Sequence, residues 1–428
     1  MQPQQTMALE DINLSDLEFW ARPLADREAA FATLRAHPIQ FFDEPIVSEL
    51  MPPGRGYYAL TRHAEVVEAS KHPALFCSGQ GTNIPDLPPP FLEFLGSIIN
   101  MDDPRHARLR RIVSRGFTPR QLDAMKGDVE ATARGILDEV IERGEGDFVT
   151  DIAAILPLRI IVDLMGIPRS HERFIFDRTN VILGLGDAEY VPDQTEAGVM
   201  AALLSAAQDL SLLITELGEE RLKNPTDDLT TALVTAEVDG EMLTPAELAS
   251  FFLLLVVAGN ETTRNAIAHG LVALTDHPDE RARWWADFDA LAPTAVEEIV
   301  RWATPVIHFR RTATQDGVRI GVHEFEEGDK VVLWYASANR DADVFDDPYR
   351  FDVGRTPNDH LGFGGPGPHF CLGAHLARRE MTVMFRELQQ RVPDIRAVGE
   401  PDRLQSNFIN GIKHLRAEWT PAAPSFSS

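Results

Sequence analysis

The chain of 428 residues is 44% hydrophobic, enough to bury a large core, which excludes a disordered or fibrous protein. Its 66 acidic and 40 basic side chains leave a formal charge of -26, which argues against nucleic acid or an anionic membrane surface as the main partner. Two cysteines, Cys77 and Cys371, cannot frame a disulfide scaffold and fit a reducing compartment.

The opening stretch MQPQQTMALEDINLSDLEFW is acidic and lacks a basic region followed by an apolar one, so no secretory signal is expected. A β-rich piece follows at GYYALTR (56–62). From 79 to 100, GQGTNIPDLPPPFLEFLGSIIN mixes chain breakers with large apolar side chains, the composition of a mobile connection that roofs a pocket. Helical periodicity dominates from about 105 to 300. The longest apolar run there, FFLLLVVA (251–258), is far short of the ~20 residues a membrane span needs, and we expect a soluble, cytoplasmic protein with no transmembrane segment. More β-rich pieces come at GVRIGVHEF and KVVLWYA (317–336) and at NFINGIKHLRAEW, and the Pro/Ser-rich tail after Trp419 reads as a frayed end. Strand pieces from both ends of the chain predict one mainly α domain over 1–428. Its small β-rich lobe would draw on about 40–65, 305–336 and 400–420.

The segment FGGPGPHFCLG (363–373) places Cys371 behind a glycine-rich loop and directly before a helical pattern. Glycines at 362, 364, 365, 367 and 373 allow the backbone to approach a flat partner closely. The helix start favours a thiolate at Cys371. Three readings stay open on the residues alone: a buried structural cysteine, a zinc ligand with His369 and His375, or a nucleophile with a base nearby.

This loop closely resembles the haem-binding signature of the cytochrome P450 monooxygenases, with Phe363, Gly367, His369, Cys371 and Gly373 filling the pattern; seven residues rather than the usual six separate the Phe from the Cys. AGNETT (258–263) resembles the family's oxygen-activating stretch, EIVR (298–301) its Glu-x-x-Arg pair, DDPYRFDVGR (346–355) the segment with a second arginine, and DDPRHARLR (102–110) the helix that reaches a haem propionate. The resemblance implies the P450 fold, a large helical lobe and a small β-rich lobe with haem b between the long central helix and the cysteine loop. Cys371 would be the proximal thiolate ligand of the haem iron, favouring O–O cleavage. Phe363, Gly365 and Gly373 would line the haem, with His106, Arg110, Arg311 and His369 on its propionates. Ala258 and Gly259 would leave room for dioxygen, and Glu261 with Thr262 would relay protons to it. Glu298, Arg301 and Arg355 would form a structural ionic triad.

The basic stretch RHARLRRIVSR (105–115) and HLARRE after the cysteine stand out in an acidic chain. By the resemblance, Arg108, Arg111, Arg115, Arg378 and Arg379 would form a docking patch for an acidic ferredoxin, itself reduced by an NAD(P)H-dependent ferredoxin reductase; a solvated helix face is the alternative. IVSRGFTPR, NVILGLGD, LAPTAVEEIVRWATPV and FINGIKHL look like the mycobacterial branch that hydroxylates methyl-branched lipids and sterol side chains at the terminal carbon. Substrate contacts are then expected from Phe91, Leu92, Phe94, Leu95 and Ile99 in the roof, Ile182 and Leu183, Val257, Ala258, Thr262, Val306, Phe408 and Ile409. An unbranched fatty acid or a polyketide is the alternative substrate. A haem-based ligand sensor is the alternative of another class, and a monomer is the expected state.

Overall fold

The computed structural model describes residues 6–44, 54–87, 89–117, 126–238 and 240–424. Helices form most of it, among them α1 (Pro89–Gly96), α2 (Arg105–Val113), α3 (Ile155–Leu164), α4 (Glu172–Leu183), α5 (Glu196–Lys223), α6 (Pro245–Asp276), α7 (Phe288–Ala303) and α8 (Ala374–Arg391). The strands that matter below are β1 (Gln40–Phe42), β2 (Tyr57–Leu60), β3 (Phe76–Cys77), β4 (Glu145–Asp147), β5 (His308–Ala313), β6 (Lys330–Trp334), β7 (Arg396–Ala397), β8 (Asp402–Arg403), β9 (Ile412–His414) and β10 (Arg416–Glu418).

α6 is the axis of the helical lobe, and its sequence explains its start. Thr244 and Glu247 form a reciprocal capping box, at 3.1 and 3.0 Å, and Pro245 occupies the first turn. Most of its side chains are buried, and α3, α5, α7 and α8 pack around it. α5 is long and apolar enough to cross a bilayer by length and composition. In the structure Leu203, Ala206, Leu210 and Ile214 are buried where the helix lies against α4 and α6, while Met200, Leu204, Leu212 and Leu222 are exposed.

The small lobe holds a five-stranded sheet in the order β1-β2-β6-β5-β3, with β6 parallel to β2 and antiparallel to β5. The N-terminal segment packs on it through Trp20, whose ring stacks on Trp334 at 5.5 Å. The C-terminal strands do not join this sheet, contrary to the sequence expectation: β10 pairs with β7 and β4, and β8 with β9. The reason is period-2 burial. Leu415, Ala417 and Trp419 alternate into the core of the helical lobe, and pairing elsewhere would expose all three. A bridge between Val306 and Ile409, a bond from Ile307 N–H to Phe408 O, a bond between His308 Nδ1 and Asn407 O, and one from Asn410 N–H to Pro305 O tie the preceding segment to the start of β5.

The roof segment differs from a loose connection. Fully buried Arg310 on β5 donates to Ile84 O at 3.1 Å, Gly81 O at 3.2 Å and Asp86 at 2.7 Å. Lys330 on β6 holds the other Asp86 oxygen at 2.6 Å, and Thr82 bonds Asn100 at 2.7 Å. The first half of the roof is therefore bolted to the sheet.

Candidate active site

The cysteine loop turns on residues that only glycine can supply. Gly364 and Gly367 have φ of 87° and 150°, and a Cβ on Gly367 would stand 2.4 Å from Ser70 O. Within this turn the Cys371 N–H donates to Phe363 O at 2.9 Å, so the longer Phe-to-Cys spacing still closes on itself. Asn339 Oδ1 accepts from Leu361 N–H at 2.7 Å and fixes the segment entering the loop. Cys371 faces a cavity. Although Cys371 is exposed to that cavity, its depth inside the protein pushes its thiol up, while the N–H groups of Gly373 and Ala374 and the guanidiniums of Arg110 and Arg378 act the other way.

That cavity, with about 230 Å³ open to the centres of water molecules, is walled by the cysteine loop and α8 together with α6. From α6 come Phe251, Leu254, Leu255, Ala258, Gly259 and Thr262. These positions recur at three- and four-residue intervals, so they share a face. Ile98, Ile99, Ile161, Val306 and Phe309 add further apolar surface. A Cβ on Gly259 would stand 2.8 Å from Ile161 Cδ1, so glycine keeps this wall from crowding.

Thr262 lines the cavity and its hydroxyl donates to Ala258 O at 2.6 Å. Glu261 does not line it. Its carboxylate accepts from Arg264, and from Asn265 at 2.8 Å, in a buried set that Asn180 completes by accepting from Arg264 at 3.0 Å. The expected acid and alcohol pair is thus split, because consecutive helical residues point about 100° apart. With Thr262 on the cavity, Glu261 lies on the flank.

Two arginines and two histidines gather where the loop meets α2 and β5. Arg110, Arg311 and His369 line the cavity, and the His106 ring lies 4.3 Å from that of His369. Burial, with Arg311, His106 and Arg110 around it, drives His369 down to about 2. Arg110 donates to Phe370 O, Arg311 to Arg310 O at 2.8 Å, and His369 Nε2 meets Ser78 Oγ at 3.1 Å. His106 Nε2 is buried without a partner among the described residues. Two guanidiniums beside two imidazoles, one of which leaves a buried ring nitrogen without a partner, suit an anionic ligand with more than one carboxylate. Gly373 adds a second sign: a Cβ there would meet only open space, as a surface laid against a flat group requires. The residues fit haem.

A family model for cytochrome P450 matches residues 171–392. The methyl-branched lipid omega-hydroxylase of Mycobacterium tuberculosis is 49% identical over 422 residues, covering 98% of this chain and 97% of that protein. This chain belongs to the cytochrome P450 family. The steroid C26-monooxygenase of Mycolicibacterium smegmatis is 40% identical over 374 residues, covering 86% of this P450 and 84% of its relative. A Mycobacterium marinum cytochrome P450 solved with pseudoionone superposes with a TM-score of 0.90 at 42% identity, covering 96% of this chain and 99% of the other.

The structure brings together the P450's ionic triad. Arg301 grips Glu298 through two bonds of 2.7 Å, Arg355 reaches the same carboxylate at 3.1 Å, and Asp352 N–H adds a bond at 3.0 Å. The remaining donors of both arginines go to main-chain carbonyls of 339–350. Phe363, Gly365 and Gly373 line the cavity.

The docking set is less open. Arg108 is held by Glu247 at 2.7 Å, and Arg378 by Glu297 at 2.5 Å and over the Phe363 ring. Arg111 is exposed, Arg379 is half-buried, and the Arg115 side chain lies outside the described residues.

Of the expected substrate contacts, Ile99, Ala258, Thr262 and Val306 line the cavity. Phe94, Leu95, Ile182 and Val257 pack instead against the main core. Val257 is one residue off the face that carries Leu254, Leu255 and Ala258. Leu183 sits beside Glu261 and Arg264, Ile409 is buried against Val306, and Phe408 stands behind Phe309 at 5.7 Å. Leu92 lines an outer cleft with Gln80, Asp86 and Asn100, and Phe91 is half-buried in α1 without lining the cavity. Phe251, Leu254, Leu255 and Ile98 were missed, although stepping back along the helix from Ala258 in threes and fours finds the first three.

Proposed function

We propose that this cytochrome P450 hydroxylates the terminal carbon of methyl-branched lipids, and the side chain of cholesterol-type sterols. It would use dioxygen and two electrons from a ferredoxin served by an NAD(P)H-dependent reductase. The observation that carries the reading is one cavity shared by Cys371, the side chains of Arg110, Arg311 and His369, and an apolar α6 face with Thr262 in it. The two named relatives support the substrate class.

Bound haem supplies the oxygen activation. Cys371 would hold the iron, and Arg110, Arg311, His106 and His369 would hold the propionates. Thr262 keeps a hydroxyl proton at Oγ1, parked on Ala258 O, and can turn it toward the cavity. Glu261 would exchange protons with Thr262 only after leaving Arg264 and Asn265. Phe251, Leu254, Leu255, Ile98 and Ile99 exclude water and orient the chain end.

Attack at a terminal carbon must be forced by geometry, since the neighbouring secondary C–H bond is weaker. A methyl branch fills the width of the channel, and one methyl in an apolar pocket is worth roughly 1 to 3 kcal/mol, about 10- to 200-fold. Reconstitution with a ferredoxin and its reductase, fed a methyl-branched fatty acid and its straight-chain counterpart, should give the terminal alcohol with faster turnover of the branched chain. In-chain hydroxylation of both at equal rates would overturn the substrate assignment.

A further inference from the structure

Among the described residues, Glu380 is the one acid that lines the cavity. It stands on α8 nine residues after Cys371, is 2% exposed, and has no hydrogen bond or ion pair within the described residues. Ala377 and Met381 from its own helix and Thr263 and Ala266 from α6 line the same space. The two helices are locked together here, since a Cβ on Gly270 of α6 would stand 2.5 Å from the Phe385 ring.

The charges on neighbouring elements are committed elsewhere. On α7, Glu297 holds Arg378 and His360, and Glu298 holds Arg301. On α6, Glu261 holds Arg264. Along α8 itself, Arg386 reaches Asp289, Glu387 faces Arg134, and Arg391 reaches Asp138. Burial alone therefore acts on the Glu380 carboxyl and raises it to about 8. A fully buried, unpartnered acid is rare enough to need an explanation, and the haem reading of the cavity supplies one.

Resting on that reading, we propose that Glu380 is a redox-linked proton site: it is a neutral acid when the iron takes up its electron, and its ionisation makes that electron harder to add. The thiolate of Cys371 and the incoming electron both add negative charge to one low-dielectric cavity, where a second anion is repelled. By reciprocity, adding the electron raises the carboxyl's proton affinity, and removing its proton disfavours the electron. The balance is simple. A one-electron donor protein, or a chemical mediator in the test, reduces iron(III) to iron(II); water supplies the proton that turns the Glu380 carboxylate into the acid.

The test is the midpoint potential of haem-loaded wild type and Glu380→Gln from about pH 6 to pH 10. The wild-type potential should fall as pH rises through about 8, with a slope of at most one proton per electron, and the variant should lack that component. Identical pH profiles would overturn the proposal. Should the variant fail to fold or load haem, the ferric-minus-ferrous infrared difference spectrum of the wild type decides: a carboxylic C=O band that moves with reduction supports Glu380, and its absence rejects it. A wild type that binds no haem through a thiolate would instead refute the functional reading itself.

Discussion

The two walls of the cavity are built on opposite principles. The cysteine wall is fixed at nearly every step: Cys371 N–H on Phe363 O, Leu361 N–H on Asn339, glycines pressed against Ser70, and the Glu298 triad. The α6 wall offers a mostly apolar face with Thr262 and Thr263 as its hydroxyls, and no charged side chain from α6 reaches the cavity among the described residues. A wall that must hold one group in one geometry is specified by hydrogen bonds and backbone conformation. A wall that must accept an oily chain is specified by shape and the absence of partners.

The comparison breaks most completely at Cys371. Cys371→Ala should abolish the thiolate-type Soret band of the carbon monoxide complex and all oxygenation, while circular dichroism keeps the helical signal. Next comes Glu298→Ala, which strands two buried arginines; the loss should be about 3 to 5 kcal/mol in denaturant unfolding, with haem content falling alongside. On the α6 wall, Thr262→Ala should leave stability nearly unchanged and cut product formed per NAD(P)H consumed by roughly 100-fold or more. Gly367→Ala tests the cysteine wall's backbone, where strain against Ser70 O should cost about 1 to 3 kcal/mol and loosen haem.

The smallest effect concerns Glu297. Burial opposes its ionisation, but bonds from Arg378 and His360 outweigh that and hold its carboxyl near about 2. A depressed carboxylate stabilises the fold at neutral pH and loses that contribution as pH falls from about 4.5 toward about 2. Glu297→Gln should therefore flatten the acid limb of the stability profile while leaving the spectrum at pH 7 unchanged.

The cysteine wall was the legible one. Its residues sit in one contiguous loop whose glycines and lone cysteine have few alternative uses, and the ionic triad followed from two short motifs. On the other wall, Ala258, Gly259 and Thr262 line the cavity, but Glu261, one residue off that helical face, lies on the flank and bonds Arg264 instead. The misassigned substrate contacts share one cause: an apolar residue beside a pocket and one in the pocket look alike in sequence. Only the helical phase separates Val257 from Leu254 and Leu255. The C-terminal strands were placed with the wrong sheet because strand propensity carries no information on which edge will accept the pairing.

The most direct test is a spectral titration of the ferric protein with a methyl-branched fatty acid and its straight-chain counterpart, following displacement of iron-bound water through the Soret band. A shift toward high spin at lower concentrations of the branched lipid would support both walls at once. A thiolate haem spectrum that ignores both lipids would contradict the branched-lipid cavity while leaving the cysteine wall intact.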